Sequence, residues 1–437
     1  MNDQAAHQTP HIYNLYPRLA GPMNTWPAHA ARAAAMGFDW LYLNPWHYPG
    51  FSGSCYAVKD YWRVDPRLLP EGHPDCHDED AIRGDGGLGA LQEALTQVRA
   101  QGLRPIMDLV INHTSRDSPL LGQHPDWYMR DAEGEIESPS AIDPADARNV
   151  TVWGDLAEID NACSADRDGL WRHWIGIVER GVQMGFEGFR CDAAYKVPAE
   201  LWRELIAAAG RQRDGVLFFG EILGARLDEI EAMRESGIQF TFNSSMWWDF
   251  SSAWCLEQQR AQQQGVRSVS FPESHDTLRR WSESGGRLAV QKQRYAFAAA
   301  FASGLMMPVG YEYGFTRRID VVTTQACDWE SPNADLAGFI GRVNWFRRVH
   351  PELASEATEA LSALNGATLL LEKRAHDTSG FVAINKDWDG GQVIELPDPA
   401  RGRRVIRVCH DNAPGHEVSG QHLALAPAEV AYLVAGG

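Results

Sequence analysis

The sequence predicts an α/β fold: a closed (β/α)8 TIM barrel with a short inserted domain and a C-terminal antiparallel β domain. Three observations predict it in this chain of 437 residues. Short β-prone runs alternate with helical patterns, one connection is much longer than the others, and only β-prone runs follow residue 351. An open doubly wound sheet is the alternative, but eight runs and this length favour closure. The first run lacks a following GxGxxG motif, so a dinucleotide-binding fold has no support.

Eight β-prone runs predict the barrel strands, which are numbered 1 to 8 in chain order. Each run is short and rich in branched and aromatic residues, as strands usually are. The runs are HIYNLYP (11–17), DWLYLNP (39–45), RPIMDLVIN (104–112), GFRCDAA (188–194), GVLFFGEIL (215–223), IQFTFN (238–243), VRSVSFP (266–272) and LMMPVGYE (305–312).

The segments between these runs repeat apolar residues at helical spacing, and most end at a glycine, which caps a helix at low cost. They predict helices over 26–37, 88–102, 169–185, 198–213, 227–237, 253–265, 291–304 and 336–351.

The long connection after strand 3 is polar and rich in Pro, Asp and Ser, which is typical of a functional loop or a small inserted domain. We therefore predict a barrel domain over 1–113 and 169–351, an inserted domain B over 114–168, and a C-terminal β-sandwich domain over 352–437.

The composition argues against several partners. A net charge of -18 gives a surface that repels phosphate backbones and anionic lipids, so neither nucleic acid nor a membrane is expected as a partner. No apolar run of about 18 residues is present. The start lacks a basic segment followed by an apolar core, and the seven cysteines are scattered without CxxC spacing. These features predict a cytoplasmic protein without a disulfide framework.

Polar side chains collect at the predicted carboxyl ends of the strands, where barrels of this kind hold their functional residues. Three of them are acids on three different strands: Asp192, Glu221 and Asp276. Such a set fits glycoside chemistry, in which one carboxylate attacks the anomeric carbon and a second, protonated, serves the leaving oxygen. Arg190 lies two residues before Asp192, hence on the same side of the strand, and is expected to hold Asp192 ionised.

Several ordered motifs resemble the alpha-amylase family, glycoside hydrolase family 13. The four conserved regions of that family are matched at strands 3, 4, 5 and 7, and two further segments resemble its extra region and its segment after strand 2. The matching stretches are DLVINH (108–113), GFRCDAAYK (188–196), FGEIL (219–223), FPESHD (271–276), WGDLAEID (153–160) and YAVKDYWRVDP (56–66). The resemblance extends to about residue 315.

The resemblance implies a role for each matching residue. Asp192 would be the nucleophile, Glu221 the general acid/base and Asp276 the stabiliser of the transition state. Among the implied substrate-binding residues, Tyr56 would stack under the sugar, and His113 and His275 would bind its hydroxyls. Arg190 would orient Asp192, and Asp108 would support the site from behind it. Lys196 would contact the acceptor sugar.

The chain departs from the family pattern after strand 4. Lys196 comes one place late, and the histidine that often follows it is missing. The chemistry requires no cofactor; calcium stays open, with Asn112 and Asp155 as its implied ligands. HPDWYMRDAEGEI (124–136) and VPAELWRELI (197–206) are similar to maltosyltransferases that use maltose 1-phosphate, but these carry Asn where this chain has Ala193.

The expected function is retaining hydrolysis of α-1,4 bonds in maltooligosaccharides through a covalent β-glucosyl-enzyme intermediate. The alternatives are α-glucan transglycosylation or maltosyl transfer, including from a sugar 1-phosphate donor, and a non-catalytic carbohydrate-binding protein, which would have lost its acids. Chain length, linkage preference and oligomeric state stay open.

Two further groups of residues have a structural as well as a functional interpretation. The segment EGHPDCHDED (71–80) lacks the second ligand pair of a zinc site and is interpreted as a solvated loop. Five aromatic residues are candidates either for outer sugar platforms or for packing: Trp46, Trp127, Trp247, Trp248 and Phe315.

Overall fold

The computed structural model describes residues 9–76, 84–143, 146–262, 265–375, 377–410, 416–417 and 420–435.

Within these residues, eight parallel strands close into a barrel, which confirms the predicted fold class. Each strand pairs with its neighbour in chain order, and the last pairs with the first through His11 and Leu305. The strands are β1 His11–Leu15, β2 Trp40–Leu43, β3 Arg104–Leu109, β4 Gly188–Cys191, β5 Leu217–Glu221, β6 Phe240–Phe242, β7 Arg267–Ser270 and β8 Gly304–Pro308.

The main helices lie where the periodicity predicts them. They are α1 Trp26–Ala35, α2 Leu88–Ala100, α3 Arg167–Met184, α4 Ala199–Gln212, α5 Leu227–Ala232, α6 Trp254–Gln262, α7 Leu288–Ala299 and α8 Ala337–Val349. Short helices cover Pro17–Ala20, Pro119–Gln123 and Arg280–Glu283. Helix α5 is shorter than predicted, because its last turn tightens into a 3-10 helix over Met233–Ser236.

Helix α3 shows why these segments form. Asp166 caps its N-terminus by accepting a hydrogen bond from the Gly169 N–H, and Gly185 ends it at a φ of 114° that side chains avoid. Between these caps, buried residues at helical spacing such as Leu170, Trp174 and Ile177 face the barrel.

Two layers of apolar residues build the core. Side chains such as Tyr42, Phe219, Phe242, Phe271 and Met306 form one buried cluster, contributed by alternating positions of the strands. A larger cluster joins other strand residues to the surrounding helices. The strands are therefore buried on both faces, which explains their continuous apolar sequences.

Two connections at the carboxyl ends of the barrel strands carry extra strands. After β2, the antiparallel pair His47–Pro49 and Val58–Val64 brackets a loop that contains Tyr56. After β3, His113–Ser115 pairs with Leu156–Glu158, and Ser140–Asp143 pairs with Asp146–Val152. The second connection lies in the predicted domain B.

The C-terminal part contains a six-stranded antiparallel sheet and a two-stranded one. Buried polar contacts fasten it to the barrel: Lys373 Nζ donates to Phe301 O at 2.6 Å, and Tyr432 Oη donates to Ala296 O at 2.6 Å. The limits of the three predicted domains remain a prediction. The strands are Ala357–Ala360, Thr368–Ala375, Thr378–Asn385, Gln392–Glu395, Arg404–Ile406, His416–Glu417, His422–Leu425 and Val430–Val434.

None of the helices in the described ranges is both long enough and apolar enough to cross a membrane.

Candidate active site

A small pocket opens at the carboxyl ends of the barrel strands. Its polar lining comes from β4, β5 and the loop after β7, and its apolar lining from β6 and neighbouring strands. Its lining includes Arg190, Glu221, His275, Asp276, Phe242 and Phe271. The pocket thus brings together side chains from Tyr42 to Met306, 264 positions apart in the sequence, and two of the three predicted acids, Glu221 and Asp276, line it.

Asp192 lies directly after β4 and is held by cationic and neutral donors. Arg190 Nη1 donates to Asp192 Oδ1 at 2.5 Å and to Asp108 Oδ1 at 2.9 Å. Asn112 Nδ2 adds a donor 3.3 Å from Asp192 Oδ2. Burial raises the pKa of Asp192, but Arg190, His113 and the hydrogen bonds outweigh it and leave that pKa below its ordinary value. Asp192 is therefore an ionised carboxylate, as a nucleophile must be.

Glu221 is the last residue of β5, and its pKa is shifted in the opposite direction to that of Asp192. Its Oε2 accepts from the Ala193 N–H at 3.1 Å, and its Oε1 accepts from the Leu223 N–H. Burial raises the pKa of Glu221 to about 7, and the nearby Asp192 carboxylate adds to this effect. Arg190, with Nη2 3.9 Å from Oε2, only partly opposes it. Near neutral pH this carboxyl can both give and take a proton.

Asp108 is the buried centre of a network behind the pocket. Its Oδ2 accepts from Tyr42 Oη at 2.6 Å and from Tyr56 Oη at 2.8 Å, while Oδ1 binds Arg190. Burial raises the pKa of Asp108 despite Arg190. The network fixes the guanidinium and the Tyr56 ring, so Asp108 supports the site from behind.

Tyr56 packs against His275, which lines the pocket. Their rings are nearly parallel, with centroids 5.6 Å apart and planes at 9°. Because the Tyr56 hydroxyl proton goes to Asp108, the same oxygen can accept from His275 Nε2–H at 2.8 Å. His275 Nε2 also lies 3.1 Å from Asp276 Oδ2. Burial lowers the pKa of His275, so its neutral form dominates near pH 7.

Asp276 is the most accessible acid of the three. Its side chain is 56% exposed and lines the pocket, while its backbone carbonyl accepts from Arg318 Nη2 at 2.9 Å. Across the site, His113 Nε2 donates to Tyr56 O at 3.1 Å, and burial lowers the pKa of His113. These positions leave Asp276 free to contact a bound sugar.

Lys196 contacts two residues of the long connection after β3. Its Nζ donates to Ser140 O at 2.8 Å and lies 3.8 Å from Glu158 Oε1. The amine ties the turn after Asp192 to the inserted hairpin. The predicted contact of Lys196 with an acceptor sugar would require it to leave these partners.

The side chains at the implied calcium ligands do not assemble a calcium site by themselves. Asn112 Nδ2 donates to the backbone O and to Oδ2 of Asp192. The buried Asn112 Oδ1 has no hydrogen-bond partner in the described structure. Ca²⁺ takes six to eight oxygens. Among the described residues, the one group of three or more His, Cys, Asp or Glu close enough for a metal is His73, Asp75 and Asp85, elsewhere in the chain. No catalytic step is therefore assigned to calcium.

The group of His73, Asp75 and Asp85 is better explained by hydrogen bonds that hold this loop in place. The two carboxylate oxygens of the buried Asp75 accept from the N–H groups of Gly84 and Gly86 at 3.0 and 3.2 Å. The neighbouring His77 and Asp78, which were considered as zinc ligands, lie outside the described residues.

Two features of the site were not predicted. Ala193, directly after Asp192, adopts a left-handed conformation with φ 39° and ψ 51°, which aims its N–H at Glu221. Asn112 holds Asp192 through its amide nitrogen, and its role as a metal ligand through the oxygen stays a prediction. No sequence signal marks the alanine, because alanine rarely adopts positive φ. The amide could have been found from its place at the end of strand 3, beside strand 4.

Comparisons with known proteins show what the chain is similar to. The family described as the glucanotransferase domain of glycogen debranching enzyme matches residues 7–132. An alpha-1,4-glucan:maltose-1-phosphate maltosyltransferase of Burkholderia pseudomallei is 26% identical over 396 residues, 86% of this chain and 33% of the relative. The maltosyltransferase 2 of Streptomyces coelicolor is 26% identical over 440 residues, 93% of this chain and 62% of the relative.

The chain thus spans about a third to three fifths of the length of the curated relatives it matches. Among solved structures, an alpha-amylase from Lactobacillus plantarum superposes with a TM-score of 0.76 at 19% identity, covering 98% of this chain and 99% of that one. This structural likeness shows the fold. Together, the comparisons confirm the resemblance to the alpha-amylase family and to its maltosyltransferase branch.

Proposed function

We propose that this chain, with its resemblance to the alpha-amylase family, is an α-glucan-active enzyme that retains anomeric configuration by double displacement. One observation carries the proposal. Two mostly buried carboxyls at the ends of neighbouring strands, Asp192 and Glu221, share Arg190, yet their environments move their pKa values in opposite directions. Such a pair supplies an ionised nucleophile and a protonated acid at the same pH.

In the first step, Glu221 donates its proton to the glycosidic oxygen as the bond from that oxygen to C1 breaks. Asp192 Oδ2 attacks C1, because Oδ1 has the closest contact with Arg190 and Oδ2 has only the longer contact to Asn112. A covalent β-glycosyl ester forms, and the leaving chain departs with the proton. Asp276 and His275 contact the sugar hydroxyls while positive charge develops at C1.

In the second step, Glu221 acts as a base. It takes a proton from a water molecule or from an acceptor hydroxyl, whose oxygen attacks C1 as the bond to Asp192 breaks. The two inversions together restore the α configuration. A pKa near 7 suits both tasks, because the group must be protonated in one step and ionised in the next.

We favour a sugar as the acceptor over water, although hydrolysis was the first expectation from the sequence. The support comes from the comparisons: the matching family is a glucanotransferase domain, and the curated relatives named above are maltosyltransferases. Hydrolysis remains the second candidate, since it uses the same intermediate and the alpha-amylase fold neighbours are named for it.

A sugar 1-phosphate donor has less support from the pocket. Arg190 is occupied by Asp108 and Asp192, and Lys196 by Ser140 and Glu158. A phosphate would need these cations to exchange partners or would need another cation at the rim. The proposal therefore takes an α-1,4-glucan as the donor.

Product analysis tests the proposal. Maltoheptaose is incubated alone, with excess maltose, with phosphate, and in parallel with maltose 1-phosphate as the donor; Asp192→Asn is the control. Transfer between glucans leaves the number of reducing ends unchanged and, with maltoheptaose alone, gives products longer than the substrate. Hydrolysis raises the number of reducing ends, and maltose 1-phosphate formation or use indicates a phosphate donor. Absence of turnover in all four reactions, or equal activity in Asp192→Asn, overturns the proposed mechanism.

A further inference from the structure

The five aromatic residues that were candidates either for sugar platforms or for packing differ in their exposure to solvent. Trp46, Trp127, Trp248 and Phe315 are at most 3% exposed and therefore pack in the core. Trp247 is 50% exposed, although its neighbour Trp248 is fully buried. Half of the Trp247 side chain is therefore accessible to a ligand, and an indole ring stacks well on flat apolar partners.

Hydrogen bonds hold the loop that carries Trp247 in place. It follows β6 and begins with Asn243, whose side-chain amide donates to Ser268 Oγ and Ser270 Oγ, both at 3.1 Å. Asn243 Oδ1 accepts a hydrogen bond from the Ser245 N–H at 3.1 Å. The first turn of the loop is thus fastened to the neighbouring strand β7.

Two guanidinium groups hold the backbone on both sides of Trp247. Arg280 Nη2 donates to Met246 O at 3.3 Å, and Arg294 Nη1 donates to Trp248 O at 2.8 Å. Beyond them, Phe250 adopts a φ of 62°, which is unfavourable for a bulky residue, with the Arg294 guanidinium 4.3 Å from its ring centroid. Such strain persists only where the surroundings impose it, and it is concentrated at functional sites.

The ring of Phe271 separates Trp247 from the pocket. Its ring meets Phe271 edge to face, with centroids 6.2 Å apart, and Phe271 lines the pocket together with Glu221 and Asp276. Strand β6 lies between β5, which bears Glu221, and β7. In the closed ring it lies opposite β2, whose following loop bears Tyr56. Trp247 is therefore on the acid/base side of the pocket.

We propose that Trp247 is a stacking platform for the sugar ring that adjoins the reacting bond on the side of the leaving group and acceptor. Glu221 must reach the glycosidic oxygen, so the ring beyond that oxygen extends toward the loop after β6. The flat apolar face of a glucosyl ring matches an exposed indole face, which remains ordered when free because the loop is held. The assignment rests on the proposed glucan activity.

The test compares substrates with and without a sugar on that side. In Trp247→Ala, kcat/KM for maltoheptaose should fall about tenfold, mainly through KM, the loss expected for one stacked ring. For α-glucosyl fluoride, whose leaving group is fluoride, kcat/KM of fluoride release should stay within about twofold. Trp247→Phe should recover part of the loss. Trp345→Ala, which removes a similarly exposed indole from the outer helix α8, should match the wild type.

Two results would overturn the assignment. One is an unchanged kcat/KM for maltoheptaose in Trp247→Ala; the other is an equal loss with both substrates, which indicates a structural role. Wild-type enzyme that turns over neither substrate would instead refute the proposed function, and the platform with it.

Discussion

Replacing Glu221 by glutamine should change how stability depends on pH. Burial raises the pKa of this carboxyl from 4.5 to about 7 in the folded protein. Between these values the folded state keeps a proton that the unfolded state has released. The contribution of Glu221 to stability is thus fully present below about pH 4.5 and is lost as pH rises to about 7.

The size of the effect follows from the two pKa values. They differ by about 2.5, which corresponds to about 3 kcal/mol of unfolding free energy. About 2 kcal/mol of this is already lost at pH 6. Glu221→Gln cannot ionise, so it avoids the loss. Its stability relative to wild type should rise by about 3 kcal/mol between about pH 4 and about pH 8. The altered hydrogen bonds to Ala193 and Leu223 add an offset that does not depend on pH.

Urea denaturation followed by tryptophan fluorescence, at a series of pH values, measures this difference. Glu204→Gln, on the exposed side of α4, controls for replacing a carboxylate by an amide. A difference between Glu221→Gln and wild type that stays constant with pH would refute the reasoning. So would a variant that loses stability relative to wild type as pH rises.

The remaining predictions concern activity and backbone strain. First, kcat for maltoheptaose should fall above about pH 7 as Glu221 loses its proton, in initial rates measured across a pH series. Because the pKa of Asp192 is held below its ordinary value, protonation of Asp192 should limit the rate only below the usual carboxyl range. An alkaline limb beyond about pH 9 would contradict the role of Glu221. Second, Ala193→Gly should keep activity and change stability by less than about 1 kcal/mol in urea denaturation, because glycine accepts the left-handed φ of 39°. Ala193→Val should lose at least about 1 kcal/mol and shift the alkaline limb, because a branched side chain disfavours the conformation that aims the N–H at Glu221; equal behaviour of the two variants would show that this conformation is unimportant.

The barrel could be predicted because its signals are local. Seven of the eight strands lie inside their predicted runs and β8 begins one residue before its run, at Gly304, while glycine caps such as Gly185 mark helix ends from the sequence alone. The short α5 could not be predicted, since tightening of its last turn depends on tertiary packing.

The site was predictable to the extent that it follows strand order. Asp192, Glu221 and Asp276 come at the ends of β4, β5 and β7, so closure of the barrel brings them to one rim. Contacts that depend on side-chain direction could not be predicted. Lys196 has its partners in the long connection after β3, and Trp247 faces solvent while Trp248 is buried.

The central claim is that Asp192 forms a covalent bond to the substrate while Glu221 handles the proton. Trapping tests it most directly. Glu221→Gln is incubated with α-glucosyl fluoride, which needs no acid to leave, and the protein is digested and mapped by mass spectrometry. The account predicts that one glucosyl group accumulates on the peptide containing Asp192, since the base for the second step is missing. An unmodified Asp192 peptide despite fluoride release, or a glucosyl group on another residue, would contradict it.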